Sequence, residues 1–204
     1  MLRTIPALLV CTLLFAGCDS AEDDGEPDVA LGRAALMIDV AAQERQFDGE
    51  VDAFFGAGTQ PDEAGQFGIL LADVPVDFSE DRLPNGTYVF LDAPSEAVPE
   101  PGTYTLVTAS TLSPEPGSYR AVAAQFRGGF RVFGVDAING TLEITSSSGT
   151  QLAGSFEFEG LTFDSQSGRS GTGMVTGTFN ATKRVDILQI DDEAMMWMSS
   201  GAAQ

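Results

Sequence analysis

Carboxylates are the side chains best placed to do chemistry in this 204-residue chain: it has 30 Asp and Glu against 10 Lys and Arg, and no histidine. Without histidine, no Ser-His-Asp or Cys-His relay can form, and histidine zinc sites are excluded. Two carboxylates alone can hydrolyse a glycosidic bond. Asp73, Asp77, Glu80 and Asp81 are the candidates, although in so acidic a chain solvated loop charge is the plainer reading. Asp77, Glu80 and Asp81, or Asp62 with Glu63, also offer the hard oxygen donors that calcium takes, without the Asp-x-Asp-x-Asp-Gly spacing of a calcium loop. Gly168-Arg169-Ser170-Gly171-Thr172-Gly173 is as glycine-dense as a phosphate loop or a nucleophile elbow. Its spacing fits neither, and no lysine or helix follows, so it reads as a hairpin loop. No cofactor motif and no enzyme motif emerges.

Arg120, Arg127 and Arg131 form a local basic exception, flanking Gly128-Gly129 and interleaved with Phe126, Phe130 and Phe133. A hairpin there would gather guanidinium groups able to receive a carboxylate, a sulfate or an acidic sugar. The alternative is that they pair with the protein's own surplus acids. Phe54 and Phe55 are adjacent in a predicted strand, so alternation sends one of them outward. An outward aromatic either stacks on a sugar or a partner, or is covered by a second sheet or the C-terminal segment.

The N-terminus carries an address. A basic head at Arg3, an apolar run over 5–15 and small residues before Cys18 have the order of a secretory signal. The run of about eleven residues is short of the roughly 20 needed to span a bilayer as a helix. Phe15-Ala16-Gly17-Cys18 resembles the lipobox of bacterial lipoproteins, with Phe15 where leucine is more usual. That resemblance implies a leader over 1–17 and diacylglyceryl attachment at Cys18; plain secretion is the alternative. Several acyl chains, at about 0.8 kcal/mol per buried methylene, make such an anchor stable. Cys11 would leave with the leader, so the mature domain has no disulfide and needs an ordinary hydrophobic core.

All acids follow the leader and only Arg3 precedes the cut, so the mature chain carries 9 − 30 = −21. Nucleic acid and bare anionic membrane would repel it. The expected partners are the membrane, through the lipid, and an envelope protein or a glycan. Residues 18–32 begin with a run in which six of the ten positions from Asp19 to Asp28 are acidic. Such a stretch is expected to be a disordered tether. From 19 to 32 it reaches at most about 45 to 50 Å. Ser20-Ala21-Glu22-Asp23-Asp24 resembles the acidic tag that places some lipoproteins of Bacteroidota-type bacteria on the outer face of the outer membrane. Asp19 instead resembles an inner-membrane retention signal of enteric bacteria; the cell surface is the location adopted.

From Ala34 onward the pattern has period two, with turn residues at short intervals. Leu36, Ile38 and Val40 alternate with Met37 and Asp39, and Leu142 and Ile144 with Thr141, Glu143 and Thr145. Phe156 and Phe158 alternate with Ser155, Glu157 and Glu159, and Val175 and Phe179 oppose Met174, Thr176 and Thr178. Further strands are expected over 47–55, 66–74, 87–91, 103–107, 119–126 and 130–135. Turns are expected at Pro84-Asn85-Gly86, Gly128-Gly129, Asn139-Gly140 and 146–149, among others. About ten short strands imply an all-β domain over 33–184, an antiparallel β-sandwich or β-barrel. The segment 185–204, with Ile187, Leu188, Ile190 and Trp197, either packs on the sheet or frays.

Gly102-Thr103-Tyr104-Thr105, Gly140-Thr141-Leu142-Glu143-Ile144-Thr145, Gly154-Ser155-Phe156-Glu157-Phe158 and Gly177-Thr178-Phe179-Asn180 resemble the strand pattern of an uncharacterised β-rich lipoprotein domain family of Bacteroidota-type bacteria. The resemblance covers 102–183 and implies a small antiparallel β domain on a lipid anchor, with no activity attached. The resulting expectation is a non-enzymatic, lipid-anchored binding or structural module. A carboxylate-dependent glycan hydrolase and a lipocalin-like carrier of small ligands are the alternatives.

Overall fold

The computed structural model describes residues 29–40, 45–58, 65–77, 83–184 and 187. Among these, nine strands form one mostly antiparallel sheet: β1 (Arg33–Val40), β2 (Arg45–Gly58), β3 (Gln66–Ala72), β4 (Gly86–Ala93), β5 (Gly102–Thr108), β6 (Ser118–Arg127), β7 (Phe130–Ser147), β8 (Gln151–Asp164) and β9 (Ser170–Lys183). Their order is β1-β2-β3-β4-β6-β5-β7-β8-β9, and the sheet closes in a ring because β1 pairs with both β2 and β9. Among the described strands, closure leaves no long unpaired edge.

Alternation decides which residues enter the ring. Ala34, Leu36, Ile38 and Val40 of β1 point inward, as do Phe156 and Phe158 of β8 and Val175 and Phe179 of β9. The interior rings meet edge-on or offset, as their quadrupoles prefer. Phe67 and Tyr119 lie 5.8 Å apart, Tyr104 and Tyr119 5.2 Å, and Phe156 and Phe179 6.4 Å. Side chains therefore fill the ring, as in small barrels.

The turn expected at Asn139-Gly140 is corrected. That pair is no turn; it lies inside β7, an 18-residue strand. The first half of β7 pairs with β6, where Gln125 faces Phe133, and the second half with β5, where Thr105 faces Thr141. The strand thus runs from one partner onto the next, and an irregularity between Ala137 and Asn139 takes up the change. Glycine is needed at 140 for close approach: a Cβ there would sit 2.4 Å from the Glu157 carbonyl oxygen and 2.5 Å from Phe158 Cβ. Long-range pairing with β8 has overridden a strong local hairpin signal. Ser146 and Ser147 likewise stay in β7, and the turn begins at Ser148, whose hydroxyl accepts the Gln151 N–H at 2.9 Å. The turn at Gly128 and Gly129 forms as expected, with φ of 61° and 79°.

The outer face of the ring has two characters. Over β3, β4 and β6, Leu70, Ala72, Tyr88, Phe90, Val122, Ala124 and Phe126 are buried in a second apolar cluster that includes Ile187. These strands are apolar on both faces, so they read as near-continuous hydrophobic runs. Over β1, β7, β8 and β9 the outward residues include Met37, Asp39, Thr141, Glu143, Glu157 and Glu159, and these are exposed.

Candidate functional site

A groove of about 540 Å³ crosses the open part of the outer face. Its walls come from two rows of cross-strand neighbours. In the first, Asp48 of β2 faces Met37 of β1, Met37 faces Thr176 of β9, Thr176 faces Glu157 of β8, and Glu157 faces Thr141 of β7. In the second, Ala35 faces Thr178, Thr178 faces Ser155, Ser155 faces Glu143, and Glu143 faces Thr103 of β5. Gly177 lies between the rows, paired to Leu36 and to Phe156. A Cβ at Gly177 would sit 2.6 Å from the Phe156 ring and 2.9 Å from the Ala35 carbonyl oxygen, so the bare backbone lets the sheet close tightly under the groove.

The groove is rich in acceptors and holds no cation: none of its lining residues is Lys or Arg. Asp48, Glu143 and Glu157 are exposed and make no ion pair among the described residues. The Thr178 hydroxyl oxygen is buried in the wall without a hydrogen-bond partner. Several other acids of the outer face are matched by arginines. Arg33 meets Asp52 at 2.5 Å and Glu50 at 3.6 Å, and Arg131 meets Asp136 at 2.8 Å. Arg120 binds Asp92 through Nε at 2.8 Å and through a second nitrogen. Burial pushes the Asp92 carboxyl up to about 6, against the opposing pull of Arg120.

The three arginines singled out in the sequence do not converge. Arg120 is at the far end of β6, engaged with Asp92, and Arg131 lies buried against Asp136 across the bare backbone of Gly134. Arg127 alone is exposed, at the end of β6. The reason is register: Arg120 and Arg127 stand seven residues apart on one strand, at least about 20 Å. Phe54 and Phe55 do point to opposite faces. Phe55 is wholly buried inside the ring, and Phe54 packs on the outer apolar cluster with the Arg184 guanidinium 5.7 Å from its ring centre. Neither offers a free stacking platform.

Among the proposed carboxylates, Asp73 accepts the Thr87 N–H at 2.6 Å and so ties the start of β4. Asp77 is exposed. Glu80, Asp81, Asp62, Glu63 and Cys18 lie outside the described residues, as do Leu188, Ile190 and Trp197. No group of three or more His, Cys, Asp or Glu among the described residues is arranged to hold a metal ion. The 168–173 stretch is in part the loop between β8 and β9, where Asp164 Oδ1 accepts the Gln166 and Ser167 N–H groups at 2.9 and 3.3 Å.

No family model, curated protein or solved structure matches this chain. The site therefore rests on its own geometry. Thr141, Glu143, Ser155, Glu157, Thr176 and Thr178 are each legible in the sequence as the wet side of a strand. What the sequence does not carry is their convergence, which needs the order of β2, β1, β9, β8, β7 and β5 in the ring.

Proposed function

We propose that this chain is a lipid-anchored envelope protein, displayed at the cell surface, whose β head is a non-enzymatic binding module. The groove over β1, β9, β8 and β7 is its binding face. The observation that carries this reading is where the space lies. The ring interior is packed with side chains, whereas the groove of about 540 Å³ is on the outer face and within the usual size of a ligand site. An interior-cavity carrier of the lipocalin type has no support from so filled a core. Lipid at Cys18 and an acidic tether would present that outer face to an external polymer, an envelope partner or a solute.

A hydrolase reading has one observation in its favour, the presence of Glu143 and Glu157 in the same groove. They stand on neighbouring strands of one sheet, a diagonal pair about 7 to 8 Å apart at Cα. Both are exposed on one face of one sheet, in an open groove and not in an enclosing cleft. The expected outcome is no release of reducing sugar from any glycan the head binds.

The test has two parts. Mass spectrometry of the native protein should find Cys18 acylated and N-terminal, and Cys18→Ser should move the protein from the membrane to the soluble fraction. A glycan array and an envelope pull-down should then be run with residues 29–204, which retain every strand of the ring and Ile187. Thr176→Trp, which fills the groove, should abolish whatever binding the native head shows. Binding that survives this substitution removes the groove from the reading, and an unmodified Cys18 removes the anchor.

A further inference from the structure

We propose that the groove binds linear aliphatic polyamines, ligands whose ammonium groups are joined by methylene chains. This rests on the reading of the groove as the binding face, and adds the chemical class of ligand. Charge and apolar surface in the groove alternate at the spacing such a ligand needs. At one side stands Asp48; at the other stand Glu157 and, diagonal to it, Glu143. Asp48 and Glu157 are separated by three inter-strand steps, through Met37 and Thr176, or about 14 Å. Between them Met37, 39% exposed, and the neighbouring Ala35 and Gly177 give apolar or bare surface beside the Thr176 hydroxyl. Thr141, Thr176 and Ser155 place hydroxyl oxygens along the same path.

Each part of a polyamine has a counterpart here. Terminal ammonium groups would meet carboxylates that make no ion pair among the described residues, inner amines would donate to hydroxyl oxygens, and methylenes would lie on Met37 and Ala35. An anionic ligand is disfavoured by three carboxylates and the absence of any lining cation. A neutral sugar finds no exposed aromatic on which to stack, because the one aromatic in the lining, Phe156, is buried. The formal charge of −20 on the whole chain adds long-range attraction for a polycation. That general term would draw any cation, so the local arrangement has to be tested against it.

Isothermal titration of the 29–204 head with spermine, spermidine and putrescine at physiological ionic strength provides the test. Spermine, the longest, should bind tightest, and putrescine, too short to join the two sides, should bind at least tenfold more weakly. Glu157→Gln and Glu143→Gln should each weaken spermine about two- to fivefold, as expected of exposed ion pairs, and the double variant about tenfold. Glu96→Gln with Glu115→Gln removes the same charge from exposed loop positions outside the groove and should change binding by less than twofold. Circular dichroism would confirm that each variant is folded. Equal weakening by the loop and groove pairs, or equal affinities for putrescine and the longer diamine 1,10-diaminodecane, which carry the same charge, would overturn the proposal. If spermine does not bind while Thr176→Trp still abolishes capture on the array or from the envelope, the polyamine class fails and the binding face stands. If neither responds to groove substitutions, both fail.

Discussion

The two halves of the outer face are built on the same closed sheet and solve opposite problems. Over β3, β4 and β6, outward side chains such as Tyr88, Phe90, Val122 and Phe126 are buried with Ile187 in an apolar layer. Over β7, β8, β9 and β1 the outward positions hold Thr, Ser and carboxylates, with Leu161 59% and Ile138 49% exposed among them. The first half behaves as a second core and the second as a surface. A face that contributes little to stability is free to vary with a ligand, which is why the open half is where we place function.

Substitutions that separate stability from binding can break or sharpen this contrast. The largest effect is expected at Tyr88, fully buried in the outer cluster, with its hydroxyl donating to the Pro84 carbonyl at 2.8 Å. Tyr88→Ala should cost about 3 to 5 kcal/mol in urea denaturation. A cost below about 1 kcal/mol would mean that the covered half is not a core. Gly177→Ala tests a place where the open half borders the interior. Its methyl group must displace the Phe156 ring or the Ala35 backbone, at about 1 to 3 kcal/mol.

Asp92 sharpens the comparison electrostatically. Its carboxyl is raised to about 6 from an ordinary 3.8, chiefly by burial. The folded state thus holds the proton more tightly than the unfolded chain. This contribution is full below about pH 4 and is lost as pH rises through about 6. Asp92→Asn should therefore gain about 2 kcal/mol relative to the native protein between pH 4 and pH 7. A difference that stays flat, or has the opposite sign, would show that Arg120 outweighs desolvation there. The smallest effects belong to the open half: Leu161→Ala, Glu143→Gln and Glu157→Gln should each stay within about 0.5 kcal/mol in denaturation. A large loss at Glu157 would make it structural and weaken the case for the groove.

Much of the fold was legible because its signal is local. Alternation identified the inward faces of β1, β8 and β9 residue by residue, since a strand's side chains switch sides at every position whatever lies beyond. The site was legible only in pieces. Arg120, Arg127 and Arg131 looked like a cluster because they are near in sequence, yet a strand holds its ends far apart, and Arg120 is engaged by Asp92 of β4 while Arg131 meets Asp136 of its own strand. Thr141, Glu157, Thr176 and Asp48 looked unrelated because Asp48 lies 93 to 128 residues before the other three, yet ring order makes them neighbours.

The amino-acid sequence by itself determined strand identity, the inward apolar set, most turns and the excess of negative charge, since each depends on residue type and short spacing alone. Tertiary structure decided that the sheet closes in a ring, that β7 runs through Asn139-Gly140 without turning, and which half of the outer face is covered. Those outcomes depend on which strands lie side by side, and pairing between residues distant in the chain is settled by the packing of the whole core, with no trace in any single stretch.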